Sequence, residues 1–272
     1  MYKLLLPVLL CIGIVSLLGT HQSVWNPGNR VSFLNIGQGD ATLIQTTSGV
    51  RILVDCGPPG GPILDRLQDQ LGFVSRRIDM LVITHGDSDH YGGCQDVLDY
   101  YQIGTTMING VNDPENEAYT TFLEGIYAET RVIPGIAGTS ITHQDLEITV
   151  LAPEPGVWGQ ESKDDNEYSI VLHLNTPTKD FLLTGDIPIL VESQLVASGY
   201  LLDVDVLKAG HHGSNTSTGS ALLDATSPEE VIISAGADNS FGHPHPEVIT
   251  RLENKNITIR ETKNHSSIDF SF

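Results

Sequence analysis

Six consecutive residues, His-Gly-Asp-Ser-Asp-His at positions 85 to 90, place two imidazoles and two carboxylates at one point of the chain. They directly follow an apolar stretch at residues 78 to 84, so a buried strand would end in a loop of four metal-binding side chains. Mixed nitrogen and oxygen donors suit zinc, manganese or iron better than calcium. Metal ions held by such donors activate water, so the loop favours hydrolysis without a side-chain nucleophile.

The same residue types also occur in ordinary polar turns, because aspartate and serine favour turns and histidine tolerates surfaces. Four other segments, however, have the same form as this one. Each is a run of apolar residues typical of strands that ends abruptly in residues able to bind metal or phosphate. These segments are residues 52–55, 181–186, 204–212 and 231–245. Their repetition favours a metal site over a plain turn.

Several motifs, in this order, resemble the metallo-β-lactamase superfamily. They are His-x-Asp-x-Asp-His-x-Gly-Gly at 85–93, Thr-Gly-Asp at 184–186, Lys-Ala-Gly-His-His-Gly-Ser at 208–214 and Gly-His-Pro-His at 242–245. Within the superfamily the chain is most similar to the hydrolase domains of ComEC-type DNA-uptake proteins, and the likeness runs from Val31 to Phe272. It implies an α/β fold, a four-layer αβ/βα sandwich, with one metal-dependent hydrolase domain over residues 28–272.

The resemblance also implies a centre of two divalent ions, zinc or manganese. Its expected ligands are His85, Asp87, Asp89, His90, Asp186 and His211. Asp186 would bridge the ions. Asp87 stands where most of the superfamily has a histidine, and the added negative charge favours a harder ion such as manganese.

His211 and His212 are adjacent imidazoles that face different directions, so at least one is expected to reach the centre. The residues alone do not decide which one ligates. The other would contact a phosphate or protonate a leaving group. The expected catalytic residues are therefore Asp89, His212 and His243.

Further residues are expected to support the ligands or touch the substrate: Asp40, Asp55, Asn166 and Ser214. Asp55 is equally compatible with a turn before Gly57, and Ser214 with a helix cap. Lys208 is expected to hold its ammonium group in solvent.

Residues 165 to 169 depart from the superfamily pattern, which often supplies another histidine ligand midway along the chain. Here the matching residues begin with Asp165 and Asn166. The first metal position is therefore expected to be weak, open, or filled by one of these two side chains.

The net charge of −20, from 14 Lys and Arg against 34 Asp and Glu, argues against tight duplex binding through a basic face. No basic cluster exceeds the pair Arg76 and Arg77. Bound cations would reverse the field locally. Alternatively, the substrate is small, or the acidity reflects a saline or extracellular habitat.

The N-terminal segment, residues 1–24, has Lys3 followed by an apolar run at 4 to 18 that is short for a membrane span but matches a secretory signal. It is expected to be a signal peptide or an uncleaved membrane anchor, which places the protein outside the cytoplasm. Cys56 and Cys94 would then either form a disulfide or remain unpaired core thiols.

The elements that must position these residues form two similar halves. In the first, strands are predicted near 31–36, 41–47, 50–55, 79–84, 105–109, 131–134 and 141–151, with helices near 62–72, 94–101 and 115–128. In the second, strands are predicted near 168–175, 180–185, 204–208 and 230–234 and as two closing strands, with helices near 189–198, 218–225 and 246–254. Two mixed halves suit a layered sandwich whose strand-end loops meet along one edge.

Three functions fit these observations. The first is a phosphodiesterase or nuclease acting on single-stranded DNA, as the ComEC resemblance implies. The second is a hydrolase of small phosphodiesters, such as phosphorylcholine compounds, or of lactones. The third is a non-catalytic accessory protein of DNA uptake or of the envelope. The expected partners are DNA or a small phosphodiester, together with a membrane or a separate DNA-uptake channel.

Overall fold

The computed structural model describes residues 28–200 and 202–272. The expected leader at residues 1–24 lies outside this range. Within it the strands form two seven-stranded sheets. None of the helices in these residues has the length and apolar character needed to span a membrane.

The first sheet has the strand order β14-β1-β2-β3-β4-β5-β6. Its strands are β1 (Arg30–Leu34), β2 (Thr42–Gln45), β3 (Arg51–Val54), β4 (Arg77–Ile83), β5 (Gln102–Ile108), β6 (Arg131–Pro134) and β14 (Ser267–Ser271). Strands β3 to β6 are parallel, whereas β14, β1 and β2 pair antiparallel. Its helices are α1 (Ile63–Leu71), the short α2 (Ser88–Tyr91), α3 (Cys94–Tyr100) and α4 (Glu117–Glu129).

The second sheet has the order β13-β12-β11-β10-β9-β8-β7. Its strands are β7 (Ser140–His143), β8 (Leu146–Ala152), β9 (Val171–Asn175), β10 (Phe181–Leu183), β11 (Val206–Lys208), β12 (Glu230–Ile233) and β13 (Thr258–Glu261). Strands β10 to β13 are parallel. Its helices are α5 (Ile189–Ala197), α6 (Ser220–Thr226) and α7 (Pro246–Asn254).

Three apolar cores separate four layers. Phe33 and Phe181 belong to the core between the two sheets, Leu67 packs between the first sheet and its helices, and Leu222 packs between the second sheet and its own. Each such side chain contributes about 1.5–3 kcal/mol when fully buried. The order of layers is helix, sheet, sheet, helix, so the predicted αβ/βα sandwich is confirmed.

Local predictions differ from the structure in three places. The expected strand at 141–151 is a hairpin, β7 and β8, which turns at Gln144 with a left-handed φ of 52°. The strand expected from residue 168 begins at Val171, because residues 166–168 form a 3-10 turn. The short helix α2 lies inside the ligand loop, where no helix was predicted.

A disulfide joins Cys56 and Cys94, so the alternative of two unpaired thiols is wrong. The bond links the loop after β3 to the start of α3, the helix that follows the ligand loop in the sequence. The backbone N–H of Cys56 also donates to the carbonyl of His90, at 2.7 Å. A cross-link closing a loop of 38 residues stabilises a fold by about 4 kcal/mol in the chain-entropy description.

Candidate metal centre

The predicted ligands converge because they follow parallel strands whose carboxyl ends meet at one edge of the sandwich. The loop of residues 85–90 follows β4, Asp186 follows β10, and the two adjacent histidines follow β11. Asp55 directly follows β3, and Ser234 directly follows β12, at the same edge. The fold thus brings together at this edge residues that are up to 179 positions apart in the sequence, Asp55 and Ser234.

Four of these side chains, Asp89, His90, Asp186 and His212, form what we call the inner position. His212 Nε2 lies 3.2 Å from Asp89 Oδ2, 3.3 Å from Asp186 Oδ2 and 3.3 Å from His90 Nε2. His90 Nε2 lies 3.4 Å from Asp186 Oδ2. Ligands about 2.0–2.2 Å from a tetrahedral zinc ion are themselves about 3.3–3.6 Å apart. The mutual spacing of His90, Asp186 and His212 therefore fits a divalent cation, with Asp89 beside His212.

Both inner imidazoles are held in orientation by a hydrogen bond at Nδ1, the ring nitrogen that faces away from the inner position. His90 Nδ1 donates to Asp55 Oδ2 at 2.8 Å, and Asp55 in turn accepts from the backbone N–H and the hydroxyl of Thr84. His212 Nδ1 donates to the carbonyl of Ser234 at 3.0 Å. Each bond fixes the tautomer that leaves Nε2 free for a metal ion, which is how ligating histidines are usually held.

Asp40 lies behind His212 and is buried with Lys208. Its Oδ1 is 3.3 Å from His212 Nδ1, and its other oxygen contacts the Lys208 ammonium group. Asp40 is close enough to His90, Asp186 and His212 to belong to the same donor cluster. Because it faces Nδ1 rather than Nε2 of His212, we assign it a supporting role, as the sequence predicted.

The expectation that Lys208 points into solvent is wrong. Its side chain is only 3% exposed and forms an ion pair with Asp40. A buried ammonium group needs a counter-charge, since losing water without one is very costly. The pair therefore explains how a cation and a carboxylate both remain buried beside the metal centre.

A second group, which we call the outer position, consists of His85, Asp87 and His211 with the shared Asp186. His85 Nε2 lies 3.5 Å from Asp87 Oδ2, and His211 Nε2 lies 3.9 Å from Asp186 Oδ2. His85 Nε2 and Asp186 Oδ1 are buried with no hydrogen-bond partner among the described residues. Buried donor atoms without a partner are what a further cation would satisfy.

The carboxylates and imidazoles of the inner position strongly shift one another's pKa values. Burial alone would raise the pKa of Asp186, but the facing His212 and His90 imidazoles outweigh it and hold that pKa well below its ordinary value. Burial alone would lower the pKa of His212, but Asp186 and Asp40 outweigh it and raise the pKa to about 9. A cation entering this group would displace protons, because ligating histidines must be neutral.

The geometry separates the two adjacent histidines, between which the sequence left the choice of ligand open. His212 points Nε2 into the inner position, whereas His211 lies at the rim with 31% of its side chain exposed. Both residues have left-handed backbone conformations, with φ of 48° and 54°, and this turn directs the two rings apart. We therefore assign His212 as the inner ligand and His211 to the outer position.

His243 lies at the rim, as a substrate-contacting residue would. Its ring centroid is 5.6 Å from that of His211 and 6.2 Å from that of His212. Burial, followed by the neighbouring His212, lowers its pKa to about 4. Its Nδ1 is buried without a partner in the described residues.

The remaining predicted residues lie further out. Asp165 accepts the backbone N–H of Gly86 at 2.5 Å, so one of its oxygens supports the ligand loop. Asn166 begins the 3-10 turn, and its Oδ1 is buried without a partner among the described residues. Ser214 is buried, with its hydroxyl 3.0 Å from that of Thr216. None of the three contacts the inner ligands in the described hydrogen bonds.

Sequence reasoning did not single out Thr84 or Ser234, and it misplaced Lys208. Thr84 bridges Asp55 to the ring of His85, at 2.7 Å and 3.0 Å. A lysine at the end of an otherwise apolar parallel strand is unusual, and that position could have indicated a buried pair. The carbonyl of Ser234 carries no sequence signal, because every residue has one.

The profile of the metallo-beta-lactamase superfamily matches residues 34–237. The chain belongs to this superfamily. Recombination protein 2 of Haemophilus influenzae is 30% identical over 270 residues, a match covering 97% of this chain and 31% of that protein. ComE operon protein 3 of Bacillus subtilis is 27% identical over 284 residues, covering 97% of this chain and 35% of that protein. The predicted resemblance to ComEC-type proteins is confirmed.

The chain spans about a third of the length of these two superfamily relatives. Among solved structures, the metallo-beta-lactamase fold protein YhfI from Bacillus subtilis superimposes with a TM-score of 0.55 at 12% identity. That match covers 89% of this chain and 99% of YhfI. At this identity the likeness establishes the shared fold.

Proposed function

We propose that this protein is a metal-dependent phosphodiesterase that cleaves single-stranded DNA. The observation that carries the proposal is the donor set at the strand edge, an inner position with a second position beside it that shares Asp186. Two-metal centres of this type are common in phosphatases and nucleases. Support for DNA as substrate comes from relatives with competence and recombination names, including Competence protein ComA of Neisseria gonorrhoeae, 30% identical over 266 residues.

Two divalent ions, zinc or manganese, would supply an activated water and positive charge for the phosphate oxygens. The residues of the chain hold and orient the reacting groups. Asp89 is the one inner ligand with substantial exposure, at 26% of its side chain, so it can also accept a proton from the attacking water. His243, at the rim, is in place to contact the phosphate or the leaving oxygen.

The acidic surface restricts the form of the substrate. With 14 basic against 34 acidic residues, the chain has little with which to neutralise a duplex backbone. A single strand needs fewer phosphate contacts, because its bases can supply binding energy by stacking. This comparison favours single-stranded over duplex DNA.

The direct test uses the full chain, loaded with Mn²⁺ or Zn²⁺, and an end-labelled single-stranded oligonucleotide. Asp89→Ala removes an inner ligand, and Asp96→Ala is its control, since Asp96 is exposed on α3. We expect metal-dependent cleavage that is retained in Asp96→Ala and lost in Asp89→Ala. Metal content is measured on each protein in parallel.

Absence of cleavage by a metal-loaded wild-type protein would overturn the nuclease proposal. Turnover of small phosphodiesters or lactones by the same preparation would then support the second function. Hydrolysis of none of these substrates would support the accessory role, which the departure at residues 165–169 already favours.

We further propose that the protein acts outside the cytoplasm, beside a membrane or a DNA-uptake channel. The Cys56 to Cys94 disulfide supports this location, because such bonds persist in oxidising compartments. Thiol labelling of freshly isolated protein tests it. Labelling of both cysteines before reduction would contradict the proposed compartment.

A further inference from the structure

An exposed aromatic ring stands next to the metal centre. Phe241 is 62% exposed, and its ring stacks on that of His243 with centroids 5.7 Å apart and an interplanar angle of 22°. The ring of His243 lies 6.2 Å from that of the inner ligand His212. Three rings thus lead in sequence from the metal centre to solvent.

The loop that carries Phe241 is fixed at several points. Asn239 Oδ1 accepts the backbone N–H of His243 at 2.8 Å, while Asn239 Nδ2 donates to the carbonyls of Gly236 and His243, both at 2.7 Å. The N–H of Gly236 donates to Gln38 at 3.2 Å. His243 lies on the side of the Phe241 ring that is nearer the metal centre, so the loop holds the open face of the ring towards solvent.

Exposed phenylalanines occur singly on many surfaces, so exposure alone does not indicate a site. Phe73 and Phe241 show the difference. Phe73 is 73% exposed in the loop before β4, at the opposite end of that strand from the ligand loop. Phe241 instead continues a row of neighbouring rings that begins at the inner ligand His212.

We propose that the free face of Phe241 binds an unpaired nucleobase of the DNA strand being cleaved, on the solvent side of the metal centre and beyond the nucleotide that carries the scissile phosphate. This inference rests on the proposed function. A net charge of −20 leaves little affinity from phosphate neutralisation, whereas stacking on an aromatic ring is independent of charge. The faces of paired bases are covered inside a duplex, so this contact selects single strands.

The test compares Phe241→Ala and Phe241→Trp with Phe73→Ala, an equally exposed aromatic control. The substrates are labelled oligothymidylate and an abasic oligonucleotide of the same length. We expect Phe241→Ala to raise KM for oligothymidylate about tenfold, as loss of one stacked base would. KM for the abasic strand should stay unchanged, and Phe241→Trp should retain wild-type KM for both.

Binding is measured separately by fluorescence anisotropy of labelled oligothymidylate on metal-free protein. Phe241→Ala should weaken this binding about tenfold, and Phe73→Ala should leave it unchanged. Equal effects of Phe241→Ala on the thymidylate and abasic strands, or no effect on either, would overturn the stacking proposal. Wild-type protein that binds oligothymidylate through Phe241 without cleaving it would uphold stacking and refute the nuclease.

Discussion

The inner and outer metal positions share Asp186 but differ in what stands behind their ligands. The inner imidazoles are fully buried, and each is held through Nδ1, His90 by Asp55 and His212 by Ser234. In the outer position the imidazoles have only hydroxyl partners at Nδ1, Thr84 at 3.0 Å for His85 and Thr216 at 3.4 Å for His211. Asp87 and His211 there are also 48% and 31% exposed.

This contrast separates two tasks within one centre. Ligands whose second nitrogen is fixed hold an ion in a set geometry and bind it more tightly. Ligands at an exposed rim can move and leave room for a substrate. We therefore expect the inner ion to bind first and the outer position to be the side that a phosphate approaches, where His211 and His243 also lie.

The largest expected effect comes from removing an inner ligand. His90→Ala should reduce metal affinity at the inner position by more than a hundredfold, because even partners behind a ligand contribute 10- to 100-fold. His211→Ala should weaken only the second, outer ion. Metal titration followed by elemental analysis measures both, with the exposed His265→Ala as control. Equal losses of metal affinity in the His90 and His211 variants would show that the inner and outer positions do not bind metal differently.

A smaller effect should follow from Asp55→Asn, which keeps the side chain's shape but removes the charge behind His90. We expect inner-site affinity to fall 10- to 100-fold while outer-site affinity stays close to wild type. Asp65→Asn, at an exposed position of α1, is the matched control. Unchanged inner affinity in Asp55→Asn would show that the charge of Asp55 does not contribute, since the amide oxygen can still accept a hydrogen bond from His90.

The smallest effect concerns pH and the metal-free protein. Burial lowers the pKa of His212, but Asp186 and Asp40 raise it to about 9, from an ordinary 6.5. A histidine whose folded pKa is raised adds stability below pH 6.5 that is lost as the pH rises through 9. Chelator-treated wild type should therefore lose a few degrees of Tm across this window relative to His212→Gln.

His211 provides the opposite sign, because burial lowers its pKa. A histidine with a lowered folded pKa adds stability above pH 6.5 and loses it as the pH falls. Metal-free His211→Gln should therefore show the same fall in Tm between pH 6.5 and 9 as the metal-free wild type. If this fall in Tm disappeared in His211→Gln and persisted in His212→Gln, the raised pKa would belong to His211 and not to His212.

The fold and half of the centre could be predicted because their signals are local. Apolar runs ending in polar loops predicted the strands, and the motif at 85–90 showed four ligands in one short segment. Which of His211 and His212 is the inner ligand could not be predicted from the sequence, because it depends on the backbone dihedral angles at the two positions. The burial of Lys208 depends on Asp40, 168 residues earlier, which periodicity within one strand cannot show.

Strand β14 has a consequence for how the molecule forms. After the second sheet is complete, the chain returns to the first sheet and pairs β14 with β1, in register from Arg30 to Ser271. Ile268 and Phe270 then fill the space between the sheets. Because β1 is the first and β14 the last strand of the described residues, we expect the first sheet to be completed late and folding to be slow. A nascent chain stalled before β14 would present β1 as an open edge to other chains.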